Sequence, residues 1–250
     1  MTANPISKTR AQELEVAAWD LVAQRRAQDL DGDRDPSYRY VLAPGVTSLM
    51  PPNCGSVIDI GCGVGRFTKT LRSFAKSVVG IDPSAVSARI ASQHVMRLSN
   101  IQIQNVTISQ YALSNAVKHD AAVALMVLQD VVDLSGFLHA SARTLREGAP
   151  LIGAVTHPRH WPEYWGYSQS PWFDYEKEIY IQSEFRTSLS ATGVKTLHVH
   201  RPTSMYLDAF SDSGFGKVET WEPMMEPSVQ RLTGVKWKKP HFWFFRAHKK

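Results

Sequence analysis

Val57-Ile58-Asp59-Ile60-Gly61-Cys62-Gly63-Val64-Gly65-Arg66-Phe67-Thr68 is the segment on which the fold class turns. Residues 57–60 form a short, mostly apolar run of the kind buried on both faces of a parallel sheet. Glycines at 61, 63 and 65 follow, and residues 66–74 carry a helical pattern. Glycine at such a junction permits a tight turn and lets the main chain approach a ligand closely. The helix start adds unpaired N–H groups and the positive end of a dipole. The stretch reads as a nucleotide-binding turn.

Spacing narrows the choice of nucleotide. The dinucleotide fingerprint G-x-G-x-x-G places its third glycine three residues after the second, whereas here Arg66 stands at that position. No G-x-x-x-x-G-K-[ST] pattern occurs, which argues against a P-loop. One helix and strand further on, Val78-Val79-Gly80-Ile81-Asp82-Pro83-Ser84 is an apolar strand ending in an acid. An acid at the tip of the second strand is placed to accept hydrogen bonds from ribose hydroxyls.

The ordered pair, 57–68 followed by Val79-Gly80-Ile81-Asp82, resembles motif I and the ribose-binding acid of the class I S-adenosylmethionine (SAM)-dependent methyltransferases. The resemblance implies a Rossmann-like α/β fold, with a seven-stranded, mostly parallel sheet, helices on both faces and an inserted lid. SAM would contact Asp59, Gly61, Cys62, Gly63, Gly65, Asp82 and Pro83. Relatives follow the next strand, 101–106, with an acid for the adenine amino group; this chain has Thr107-Ile108-Ser109 instead. The adenine contact then falls to main-chain groups or the Thr107 or Ser109 hydroxyl.

Residues 121–128 form a fourth apolar run, and Met126-Val127-Leu128-Gln129-Asp130 resembles motif IV of the small-molecule branch. Ligands in open α/β sheets bind at the carboxyl ends of the strands. Met126 and Leu128 are therefore cofactor candidates, and Gln129 and Asp130 are acceptor candidates. Asp133 reads as the cap of a helix over 134–146, a role open to Asp130 as well. The base-holding Asn-Pro-Pro-Tyr and Asp-Pro-Pro-Tyr motifs are absent, which argues against a nucleic-acid N-methyltransferase.

Composition agrees. The 250 residues suit one α/β domain with an elaboration, and 43% apolar residues are enough for a sizeable core. No run approaches the ~20 apolar residues of a membrane span, and residues 1–10 lack a secretory core. Cys54 and Cys62 have no metal-ligand spacing to a partner, so reduced thiols, a cytoplasmic location and no metal are expected. The net charge of +5 is scattered along the chain, as on a solvated surface, and gives no nucleic-acid footprint.

Four segments are expected: a helical cap over 1–52, the SAM-binding core over 53–156, an aromatic-rich insertion over 157–202, and completion of the sheet over 203–250. Trp19-Asp20, on a helix over 11–30, resembles a segment that folds over bound SAM in small-molecule methyltransferases. Arg25 and Arg26 follow it, facing either the SAM carboxylate or solvent. The insertion carries Trp161, Tyr164, Trp165 and Tyr167, read as acceptor-pocket residues of a lid or as a satellite core. A strand ending at 185, an antiparallel partner over 194–200 and a last antiparallel strand over 242–247 complete the reading.

SAM already carries an activated methyl group, so the protein must align and dehydrate a nucleophile. A base is needed only for a hydroxyl or a protonated amine. His157, at the end of the fifth strand, is the first candidate and His160 the second, with His157 as a turn-holding residue the competing reading. The reaction expected is O- or N-methylation of a small molecule by a monomer or homodimer. An RNA or protein methyltransferase, an inactive SAM-binding partner subunit, and a NAD-dependent oxidoreductase are the alternatives.

Overall fold

The computed structural model describes residues 3–114, 117–187 and 191–250. A short strand β1 (Asn4–Pro5) leads into the long helix α1 (Lys8–Asp31), whose N-cap Ser7 accepts the Arg10 N–H. A π-helical turn (Tyr38–Leu42) runs directly into α2 (Ala43–Leu49). Strands and helices then alternate: β2 (Cys54–Ile60), α3 (Arg66–Leu71), β3 (Ala75–Ile81), α4 (Ala85–Val95), β4 (Ile101–Gln104), α5 (Ile108–Ser114), β5 (Ala121–Leu125), α6 (Leu134–Thr144) and β6 (Pro150–Thr156). After β6 come α7 (Trp161–Tyr164), β7 (Ile179–Arg186), β8 (Ala191–His200), α8 (Thr203–Asp212), β9 (Phe215–Trp221), α9 (Pro227–Thr233) and β10 (Phe242–Lys249).

The main sheet has seven strands in the order β4-β3-β2-β5-β6-β10-β9. β2 through β6 pair in parallel, and β10 runs antiparallel to both neighbours. The apolar runs of β5 and β6 are buried almost residue for residue because helices cover both faces of a parallel sheet. Strand order reverses direction at β2, between β3 and β5, and such a switch point opens a crevice at the carboxyl ends of the strands. A second sheet, β1-β7-β8, is antiparallel. α1 packs against it on one side and against α4 on the other.

Several details differ from the sequence reading. The last strand lies inside the sheet, and β9 forms the edge. The apolar run 121–128 stops being a strand at Leu125, because Met126 adopts a left-handed φ of 59° and Leu128–Asp130 coil into a 3-10 turn. The strand expected over 101–106 ends at Gln104, and α5 and α9 were not anticipated. α5 has a sequence signature all the same. Thr107 Oγ1 accepts the Gln110 N–H and Gln110 Oε1 accepts the Thr107 N–H, a reciprocal capping box.

Candidate cofactor and acceptor site

A cavity of about 730 Å³ opens at the carboxyl ends of β2, β3 and β5. Its floor is the glycine turn. Gly61 has a φ of +70°, and a Cβ there would meet Val127 at 2.6 Å, so neither the backbone nor the space admits a side chain. Gly65 also has positive φ, and its Cβ would meet Ala91 at 2.9 Å. Gly65 thus lets α3 and α4 approach each other and stands behind the cavity wall rather than in it. A Cβ on Gly63, by contrast, would meet nothing within 4 Å.

Asp82 sits at the tip of β3 and bridges to this turn. Its Oδ2 accepts the Gly63 N–H and its Oδ1 the Ser84 N–H, both at 2.8 Å. Asn105 Nδ2 donates to the Asp82 and Pro83 carbonyls and pins the loop from below. Burial pushes the Asp82 carboxyl up to about 6. Asp59, inward on β2, accepts the Thr68 hydroxyl at 2.6 Å. Burial, with a smaller contribution from the Asp82 charge, carries Asp59 up to about 7.

α1 closes one side. Asp20 Oδ1 accepts the Ser84 hydroxyl at 2.6 Å and the Val86 N–H at 3.2 Å, which ties the helix to the start of α4. Glu15, Trp19 and Arg26 then face the cavity. Arg26 donates to Asp35 Oδ2 at 2.6 Å and is less exposed than Arg25, which pairs with Asp29. Trp19 meets Phe185 of β7 edge-on, with ring centroids 5.3 Å apart.

The turn after β5 is held by an arginine to which the sequence reading gave no role. Arg201 is 1% exposed. Its guanidinium donates to the carbonyls of Leu128, Val131 and Val132 and to Glu178. So held, the turn presents Gln129 and Asp130 to the cavity, while Leu128 points into the core. Gln129 Nε2 donates to Asp130 Oδ2 at 2.8 Å, leaving Gln129 Oε1 buried without a partner. Burial holds the Asp130 carboxyl well above the usual carboxylate range, with the nearby Glu15 charge adding to the rise. Asp133 accepts the Gly136 N–H at 3.0 Å and caps α6, as its position suggests.

The aromatic insertion divides in two. Trp161, Tyr164 and Trp165 line the cavity, with the two indoles stacked at 4.7 Å. Tyr167 is buried against Trp172 and Phe173 away from the cavity, and His200 packs on Phe173 and Tyr175. Some of these rings thus line the cavity and others form a satellite core.

The histidines change places. His157 and His160 do not line the cavity. His157 Nδ1 accepts the N–H groups of Arg159 and His160 at 3.2 and 3.3 Å, which holds the turn after β6. Its Nε2 then carries the proton and faces Glu222 Oε1 at 3.4 Å, so the cluster of His157, His160 and Glu222 offers no free lone pair from His157 to a metal ion. His198 and His241 line the wall instead. Burial lowers His198 to about 3 and His241 to about 4, so both are neutral rings at physiological pH.

Of the cofactor positions expected from sequence, Asp59, Gly61, Cys62, Gly63, Asp82, Pro83, Thr107, Ile108 and Met126 line the cavity, whereas Gly65 and Leu128 do not. Of the acceptor positions, Gln129, Asp130, Trp161, Tyr164 and Trp165 line it, whereas Tyr167 does not. Glu15, Phe185 and His241 were missed, and His198 had been ranked below His157 and His160.

A family profile for a methyltransferase domain matches residues 34–198. Among curated relatives, a ubiquinone biosynthesis O-methyltransferase of Klebsiella pneumoniae is 28% identical over 145 residues, covering 55% of this chain and 58% of its own. The chain spans little more than half the length of the curated relatives it matches first. A structure from Listeria monocytogenes, assigned as a SAM-dependent methyltransferase, superposes with a TM-score of 0.66 at 19% identity, over 83% of this chain and 96% of that one. The N-methyltransferase NodS of Bradyrhizobium japonicum, bound to S-adenosylhomocysteine, gives 0.56 at 16% identity over 83% and 85%. At these identities the solved structures speak to fold alone. The chain belongs to the methyltransferase domain family, among the class I SAM-dependent methyltransferases.

Proposed function

We propose that this chain transfers the methyl group of SAM to a small-molecule acceptor at oxygen or nitrogen. The observation that carries the reading is the Asp82 carboxylate, fixed across the glycine turn by Gly63 and Ser84 at the strand-order switch point. The residues present fit SAM: Asp82 is placed for the ribose hydroxyls, and the space over Gly63 is open to a ligand. Thr107, Ile108 and Ser109 offer the wall for adenine, and Arg26 is the candidate partner for the cofactor carboxylate.

Bound SAM supplies an electrophilic methyl group on a sulfonium sulfur. The chain's own residues position the acceptor, exclude water and take up a proton. Trp19, Trp161, Trp165 and Phe185 wall the acceptor end and keep it dry. Asp130 is the proposed proton acceptor, because it lines the cavity and burial raises its proton affinity above that of an ordinary carboxylate. His198, lowered to about 3, is too weak a base for that role. The segment carrying α7, β7 and β8 is proposed as a lid. The curated relative named above methylates oxygen in ubiquinone biosynthesis, which supports a small acceptor.

Calorimetric titration tests the reading. SAM should bind 1:1, and Asp82→Ala should abolish the signal while NAD gives none with either protein. No heat from SAM with a folded wild-type chain would overturn it.

A further inference from the structure

The acceptor end of the cavity has a chemical bias. The polar atoms that the turn after β5 presents there accept hydrogen bonds. Gln129 is 4% exposed, lines the cavity, and has its Oε1 buried without a partner. Its amide nitrogen is spent on one oxygen of Asp130, which leaves the other carboxylate oxygen to the cavity. Glu15 spends Oε1 on the Val132 N–H, at 3.0 Å, and likewise has a second oxygen to offer.

Among the described residues, no cation nearby is free to answer these acceptors. The guanidinium groups lining the cavity among the described residues are already paired: Arg26 with Asp35, Arg66 with Asp31 and Arg186 with Glu184. Arg201, behind the turn, is committed to three carbonyls and Glu178. An orphaned buried acceptor costs free energy that a ligand donor would recover. Around the same space stand Trp19, Trp161, Trp165 and Phe185, whose ring faces favour a positive charge.

We propose that the methyl acceptor is a protonated amine on an aromatic or similarly apolar body, its N–H groups held by Gln129 Oε1, Asp130 and Glu15 and its body lying among the indoles. A phenol offers one donor to these three acceptors, and a carboxylate offers none. The reaction balances. The ammonium passes one proton to the Asp130 carboxylate, and the freed nitrogen lone pair forms the N–C bond. The C–S bond breaks with its electron pair going to sulfur, giving a methylammonium product and neutral S-adenosylhomocysteine. The Asp130 proton returns to solvent when the product leaves. Burial, which raises the carboxyls of both Asp130 and Glu15, suits groups that exchange a proton with a bound cation.

This assignment rests on the SAM-dependent reading above, and the test separates the two. Protein saturated with S-adenosylhomocysteine is titrated with tryptamine, tryptophol and indole-3-acetate, and with 2-phenylethylamine, 2-phenylethanol and phenylacetate. In at least one series the amine should bind about tenfold more tightly than its alcohol, and the carboxylate more weakly than either. Asp130→Asn and Glu15→Gln should each weaken the amine about tenfold and leave the alcohol unchanged. Should Asp130→Asn lose its fold, Glu15→Gln decides by the same criterion. Amines binding no better than alcohols in both series, or amine affinity unmoved by the folded variants, overturns the amine assignment while the cofactor reading stands. Failure of the wild-type chain to bind S-adenosylhomocysteine removes the reading beneath it.

Discussion

At the scale of single residues, two carboxyls dominate the glycine-turn end of the cavity. Asp59 and Asp82 lie above the ordinary carboxylate range, at about 7 and about 6, because burial disfavours their charged forms. The empty folded site therefore holds protons that the unfolded chain would release above about pH 4. Their contribution to folding stability is fully present below that pH and is lost as pH rises through 6 to 7. A sulfonium ligand reverses the preference, since it favours the ionised forms. SAM affinity should therefore rise by at least roughly tenfold between pH 5 and pH 7, with proton release on binding. Titration calorimetry in two buffers of different ionisation heat measures both; a flat affinity would show that neither carboxyl changes state on binding.

The histidines are also decided at this scale. The sequence offers His157 at the end of a strand, where a base is plausible. Its Nδ1 is instead used by the two following N–H groups of its own turn. A side chain that can bond locally to its main chain often does so, and spacing alone does not reveal it.

At the scale of elements, the ends of helices are set by residues that also border the cavity. Asp133 caps α6 and Thr107 caps α5. Replacing either by alanine removes one accepting oxygen from a helix start and should cost about 1 kcal/mol of stability, read from the urea midpoint. Asp133→Ala should change only the midpoint. Thr107→Ala should in addition weaken SAM binding, if the adenine lies against that turn as proposed. The cap at Asp133 was legible because an Asp precedes an apolar-periodic run. The Thr107–Gln110 box carries an equally clear signature, and reading the segment as the continuation of a strand concealed it. α9 has a proline at its first position and Gly234 in left-handed conformation after its last, both ordinary boundary signals, but its seven residues bury none of their side chains and give no periodic stripe.

At the scale of the whole molecule, the second sheet and the main sheet are joined through Arg201. Its guanidinium lies fully inside, between Glu178 just before β7 and the turn after β5. Arg201→Leu would leave three carbonyls and a partly buried glutamate without their donor. Removing one partner of such a buried pair should cost about 3–5 kcal/mol, measured by chemical denaturation. The same variant should release the turn that carries Gln129 and Asp130, so acceptor binding should fall even where the fold survives. A loss within 1 kcal/mol of wild type would mean that the sheets hold together by apolar packing alone.

The amino-acid sequence alone set the parallel core, the glycine turn, the acid at the tip of β3 and the family. Each of these rests on local chemistry: a period of apolar residues, a positive φ that excludes a side chain, an acid at the end of a strand. Asp59, Gly61, Gly63 and Asp82 could be placed because their neighbours in sequence are also their neighbours in space. Which groups meet across the cavity was left to the tertiary structure. Glu15, Gln129, Phe185 and His198 come from four elements well separated along the chain, and nothing in any one segment says which face it turns inward. The packing of β8 on the turn after β5, fixed by one buried arginine, makes that choice.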